Sequence, residues 1–137
     1  MGEVHSLTLR NDRAELARMM TWIDGLVGTL ELPPLATYAV QLCLEEAVVN
    51  IISYSFEPDT EHAVKIGVWR EGRMVFAEIT DDGRPFDPLA QELPERPTDL
   101  ASAHVGGLGI TLMRNFAADI VYRRADGTNR LTMSFAA

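Results

Sequence analysis

Hydrophobic and polar positions change their period several times along the chain, and each change marks an element. Residues 4–10 alternate, with Leu7 and Leu9 on one face, which predicts a short strand. Apolar positions then fall at helical spacing (Leu16, Met19, Met20, Ile23, Leu26, Val27, Leu30) and predict an amphipathic helix. Asn11 or Asp12 suits its N-cap, and Glu15 follows at capping-box distance. Gly28 and the Pro33-Pro34 pair end this helix and start a second, from about Pro34 to Tyr54, because proline is tolerated in a first helical turn. Pro58-Asp59 closes it. Two strands rich in β-branched and aromatic residues, 63–70 and 74–81, flank Glu71-Gly72-Arg73 as a hairpin turn. From Asp82 to about Val105 no period holds, and Pro85, Pro88, Pro94 and Pro97 interrupt it. Loops this long in a small domain are usually functional lids or mobile segments. A third helix is predicted over 107–118, then strands at 119–124 and 129–135 around the turn 125–128.

The order β-α-α-β-β-loop-α-β-β does not put a helix between successive strands, which argues against a doubly wound parallel sheet. The expectation is an α+β fold: a two-layer α/β sandwich with a mixed, mostly antiparallel sheet and helices on one face. One domain over 1–137 is expected, without repeats. A chain of 137 residues, 47% hydrophobic, can bury one real core and is not a disordered linker. Its net charge of −8 argues against a nucleic-acid binder, which carries a basic face, and suits a protein partner. The single cysteine, Cys43, excludes an internal disulfide and reads as a buried hydrophobe in a reducing compartment. No uninterrupted apolar run approaches the ~18 residues of a membrane span. MGEVHSLTLR also lacks the layout of a signal peptide, so a cytoplasmic protein without a membrane is expected.

Three segments carry candidate chemistry. Glu46 and Asn50 lie four residues apart on the second helix and share a face. An amide oxygen is a sufficient neutral ligand for magnesium where a triphosphate supplies the charge. A carboxylate one turn earlier can act as general base toward a hydroxyl. Glu45 is rotated away from Asn50 and is the weaker candidate. The same pair can equally be a solvated helix stripe. Asp81, at the end of a strand and followed by Asp82-Gly83, could accept a hydrogen bond from the exocyclic amine of adenine, while Gly83 lets the backbone approach a flat ring. An ordinary Asp-Gly turn reads the same way. His104-Val105-Gly106-Gly107-Leu108-Gly109 precedes an apolar helical run, and its amides suit phosphate oxygens. It is neither a GxGxxG fingerprint nor a P-loop. His5, His62 and His104 are too scattered for a zinc site. Trp22 and Trp69 fall on helix and strand patterns and read as packing residues.

In order and spacing, these segments resemble the GHKL superfamily of ATP-binding domains, and within it the RsbW-type anti-sigma-factor serine kinases. The resemblance covers nearly the whole chain. It implies the Bergerat-type fold, with the E-x-x-x-N motif (Glu46 to Asn50) supplying the catalytic base and the magnesium ligand. It implies that the D-x-G motif (Asp81, Gly83) binds adenine, that the G-x-G motif (Gly107, Gly109) covers the phosphates, and that the Gly127-Thr128 turn returns near the adenine pocket. Many relatives carry a histidine shortly after the motif asparagine, where this chain reads Ile51-Ile52-Ser53-Tyr54. The implied cofactors are ATP and Mg2+. The implied activity is transfer of the γ-phosphoryl group to a serine of a STAS-type anti-sigma-factor antagonist, and the implied partners are that antagonist and a sigma factor held inactive in a partner switch. Relatives are often homodimers, although the sequence identifies no dimer face.

Two other functions are compatible with these residues. One is an ATP-binding module that sequesters a partner without kinase activity; retention of Glu46 argues against it. The other is a detached histidine-kinase catalytic domain, which needs a phosphoacceptor histidine on a dimerising helix that the sequence lacks.

Overall fold

The computed structural model describes residues 2–89 and 113–137. Five strands, β1 (His5–Arg10), β2 (Ala63–Glu71), β3 (Met74–Asp81), β4 (Asp119–Ala125) and β5 (Thr128–Ala136), form one sheet in the order β1-β2-β3-β5-β4. Each of the four pairings is antiparallel. Two helices, α1 (Leu16–Thr29) and α2 (Pro34–Tyr54), cover one face, giving the expected two-layer α+β architecture. The start of the predicted third helix, with Gly107 and Gly109, lies outside the described residues; Met113–Phe116 form a helical turn.

Strand alternation decides which residues meet the helices. Val64, Ile66 and Val68 of β2, Val75, Ala77 and Ile79 of β3, and Leu131, Met133 and Phe135 of β5 are all buried. Met19, Ile23 and Leu26 of α1 close over them, with Val40, Leu44, Ala47, Val48 and Ile51 of α2. Each such side chain contributes roughly 1.5–3 kcal/mol when fully buried. By length and composition α2 is apolar enough to cross a membrane, yet half of its most apolar stretch is buried inside this domain. A helix that is hydrophobic around most of its circumference belongs in a core.

The ends of the elements follow local chemistry. Asp12 Oδ1 accepts from Ala14 N at 2.9 Å and caps a 3-10 turn, Arg13–Glu15, that leads into α1. Glu15 does not complete a capping box: its carboxylate accepts instead from Arg18 Nε at 3.0 Å and from Arg10 at 3.5 Å. Beyond the end of α1, Arg70 donates to the carbonyls of Leu30 (2.9 Å) and Glu31 (2.7 Å), which satisfies acceptors that a helix end leaves open. Asp126 and Gly127 both take positive φ (54° and 74°) between β4 and β5, the signature of a type I′ hairpin turn. Edge strand β4 exposes Asp119, Arg123 and Arg124, charges that discourage pairing with another chain.

This register positions the site. Asp81, the last residue of central strand β3, lies between Val64 of β2 and Asn129 of β5.

Candidate functional site

Asp81 continues the buried stripe of β3 (Val75, Ala77, Ile79) and is itself 4% exposed. Its Oδ1 accepts from Gly83 N at 2.9 Å and from Asn129 Nδ2 at 3.0 Å. Its Oδ2 is buried without a partner. Burial raises the Asp81 pKa above the ordinary carboxylate value, outweighing the hydrogen bonds from Asn129 and Gly83 that lower it. The turn after β3 lies directly against the C-terminal end of α2: Arg84 N donates to Ser55 O at 2.8 Å, and the Arg84 guanidinium to Phe56 O at 3.2 Å. A methyl group at Gly83 would overlap the Ser55 carbonyl and Cβ, so only glycine permits this approach. The Ser55 hydroxyl, beside it, is also buried and unpartnered.

A cavity opens at this junction, walled by Ile51, Ile79 and Leu131 and edged by Asp81, Asn129, Tyr122, Phe86 and Pro88. Its volume of about 10 Å³ is room for a single water. Apolar walls with one open acceptor suit a flat ring that carries an amine.

On α2, Asn50 is 4% exposed and its Nδ2 has no hydrogen-bond partner. Leaving a buried polar group unsatisfied costs about 1–3 kcal/mol, a cost that a ligand would relieve. Glu46, one turn earlier, is half-buried, whereas Glu45 is exposed, as the helix rotation requires. Burial raises the Glu46 pKa, and the charge of Glu45 raises it further. Cys43 continues the same stripe: its thiol points to Met113 O at 4.0 Å, so this edge of α2 faces the chain where it re-enters the described residues. Burial, with a contribution from Glu46, pushes the Cys43 thiol up to about 12 and leaves it inert. Among the described residues no cluster of three His, Cys, Asp or Glu side chains could hold a metal. A magnesium site with Asn50 as protein ligand does not need one.

The fold thus brings Asp81 and Gly83 to the end of α2, four to five residues beyond Asn50. Gly107 and Gly109 lie outside the described residues. Thr128 lies on the opposite side of β5 from the cavity, with Arg123 and Arg130. Its neighbour Asn129, which the sequence reading did not select, makes the contact to Asp81. A signal for it existed: Asn129, Leu131, Met133 and Phe135 form one alternating stripe, so a polar side chain there must be buried and partnered. Ser55 and Tyr122 were also missed.

Comparison with known proteins fits this geometry. Residues 9–135 match the family model described as histidine kinase-like ATPase domain. The chain is 35% identical over 97 residues to the serine/threonine-protein kinase BtrW of Bordetella bronchiseptica, covering 71% of this chain and 68% of that protein. It is 30% identical over 81 residues to the anti-sigma F factor of Bacillus licheniformis, covering 59% of this chain and 56% of that protein. Among solved structures, the Acinetobacter baumannii histidine kinase AdeS aligns over 95% of this chain and 67% of its own, with a TM-score of 0.51 and 14% identity, a likeness of fold.

Proposed function

Because the chain belongs to the histidine kinase-like ATPase domain family, we propose that it is an anti-sigma regulatory factor that uses ATP to phosphorylate a serine on an antagonist protein. The observation that carries this reading is the pair of buried, unpartnered polar groups, Asn50 Nδ2 and Asp81 Oδ2, at the two motif positions. A fold tolerates such groups where a ligand completes them. The names of the two relatives support the protein-kinase and anti-sigma parts of the reading.

Asp81 Oδ2 accepts a hydrogen bond from the adenine amine, and Ile51, Ile79 and Leu131 pack on the ring. A base needs more room than the cavity offers, so its entry requires the side chains of Phe86 and Pro88 at the edge to give way while the backbone contact of Phe86 to Asn129 is kept. The Gly127-Thr128 turn leads directly into Asn129, the side chain that lines the cavity. Asn50 would hold the magnesium ion through its side-chain oxygen while its buried Nδ2 would donate to a phosphate oxygen, and the ion would supply charge neutralisation there. Gly107 and Gly109 are assigned to the phosphates on the G-x-G motif alone. Glu46, its pKa raised by burial, accepts the proton of the serine hydroxyl; the rest of the catalysis is positioning and charge stabilisation. The partners are a sigma factor and a STAS-type antagonist that compete for the protein in the cytoplasm. A homodimer is the proposed assembly.

The test is incubation with labelled ATP, magnesium and a STAS-type antagonist, followed by mapping of phosphoserine. Asn50→Ala weakens magnesium-dependent nucleotide binding in calorimetry. Glu46→Ala keeps binding nearly intact and abolishes transfer. A Glu46→Ala protein that phosphorylates at the normal rate refutes the base assignment; an absence of phosphoserine with the native protein leaves sequestration alone.

A further inference from the structure

We propose that Asn129, held in one orientation by Tyr122, makes this pocket select purines with a 6-amino group over those with a 6-oxo group; this rests on the nucleotide reading above. A side-chain amide has two N–H donors and an oxygen that can accept twice. Asn129 uses all of them. Its Nδ2 donates to Asp81 Oδ1 at 3.0 Å and to Arg84 O at 2.8 Å. Its Oδ1 accepts from the Tyr122 hydroxyl and from Phe86 N at 3.4 Å. Turning the amide over would set its oxygen against two acceptors, Asp81 Oδ1 and Arg84 O, and its NH2 against the Phe86 N–H. The orientation is therefore fixed by its surroundings.

Two consequences follow for a ligand. The Asp81 carboxylate is clamped at Oδ1 by Asn129 and Gly83, so only the buried Oδ2 remains open. Asn129 and Tyr122, the other polar side chains at the cavity, have no free proton to offer, because their N–H and O–H groups already have acceptors. The lining side chains thus offer a ligand acceptors only, with Asp81 Oδ2 the charged one. The 6-amino group of adenine donates to it, whereas a 6-oxo group presents a second acceptor and is repelled. A hydroxyl in place of Asn129 could rotate its proton toward either group and would blur the choice. Sites built on a buried hydrogen bond discriminate strongly because a mismatch leaves that group unpaired.

The experiment compares the dissociation constants of ATP, inosine triphosphate and purine riboside triphosphate for the native protein, Asn129→Ser and Tyr122→Phe, with melting curves to confirm folding. The native protein is expected to prefer ATP to inosine triphosphate by at least about tenfold, the scale of one hydrogen bond to a charged group. Asn129→Ser is expected to reduce that ratio by about fivefold or more. Tyr122→Phe, which removes only the hydroxyl that braces the amide, lowers it in the same direction by less. It carries the test if Asn129→Ser does not fold. Equal weakening of all three nucleotides in the variants would make Asn129 a packing residue and overturn the inference. Native binding of ATP and inosine triphosphate with equal affinity overturns it while leaving the nucleotide site standing. Native binding of none of the three removes the nucleotide reading itself.

Discussion

Replacing Asp81 by asparagine should make the protein more stable and less able to bind ATP. Asp81 is 4% exposed, and one of its two oxygens has no partner. Burial outweighs its hydrogen bonds in setting the direction of its pKa, so the charged form is disfavoured in the fold. Asp81→Asn retains an oxygen to accept from Gly83 and Asn129 and replaces an orphaned charge with a neutral amide. Removal of the desolvated charge is worth about 1–3 kcal/mol, part of which is returned as the two remaining bonds lose charge assistance and the new NH2 takes the unpartnered place of Oδ2. A net gain of about 1 kcal/mol corresponds to a rise of about 3–4 °C in Tm for a domain of this size. The gain depends on pH. A raised native pKa means that the folded chain keeps this proton at pH values where the unfolded chain has lost it. Native stability therefore falls as pH rises through the interval above 3.8. The advantage of the variant is absent below that interval and grows as pH rises through it. Binding moves the other way: loss of a hydrogen bond to a charged acceptor weakens ATP by about 10- to 150-fold. Melting curves at pH 3.5 and 7.5, with calorimetric titration of ATP, measure both effects. A variant that melts lower at neutral pH, or that binds ATP unchanged, would falsify the assignment of Asp81 as a buried, functionally retained charge.

Gly83→Ala should cost at least about 1–3 kcal/mol in urea unfolding and impair nucleotide binding, because the new methyl meets the Ser55 backbone, which cannot yield as a flexible side chain would. Gly127→Ala, at φ 74° in a solvent-exposed turn, should lose about 1 kcal/mol of stability and leave ATP affinity unchanged. Cys43, fully buried with its thiol pushed up to about 12, should resist a thiol reagent at pH 8 in the native protein and react at once in guanidinium. Rapid labelling without denaturant would contradict the packing of α2.

Much of this could be read from the chain because local chemistry and tertiary context agree. Pro33-Pro34 bounded α2, and the Gly72 and Asp126-Gly127 turns placed the two hairpins, since each depends on backbone preferences that neighbours do not override. Glu15 departed from expectation because arginines at positions 10 and 18 compete for its carboxylate more strongly than a backbone amide does. Spacing within one element singled out Glu46, Asn50 and Asp81, and the structure buries Asn50 and Asp81 with an unpartnered atom on each. The site was not legible at Asn129, Ser55 and Tyr122. Their roles come from register between strands distant in sequence and from the approach of the β3 turn to α2. A shift of one residue separates Thr128 from Asn129, and with it one face of the sheet from the other.

The place of β3 in the sheet has a kinetic consequence. Its last residue lies in register with Val64 of β2 and Asn129 of β5, and although its own N–H turns toward only one of them, it is flanked by a strand on each side. The end of β3 that carries Asp81 therefore opens with the centre of the sheet and not with its edge strands. A protein arranged this way holds the Asp81 carboxylate in place with the sheet itself, without a loop that must fold around it first.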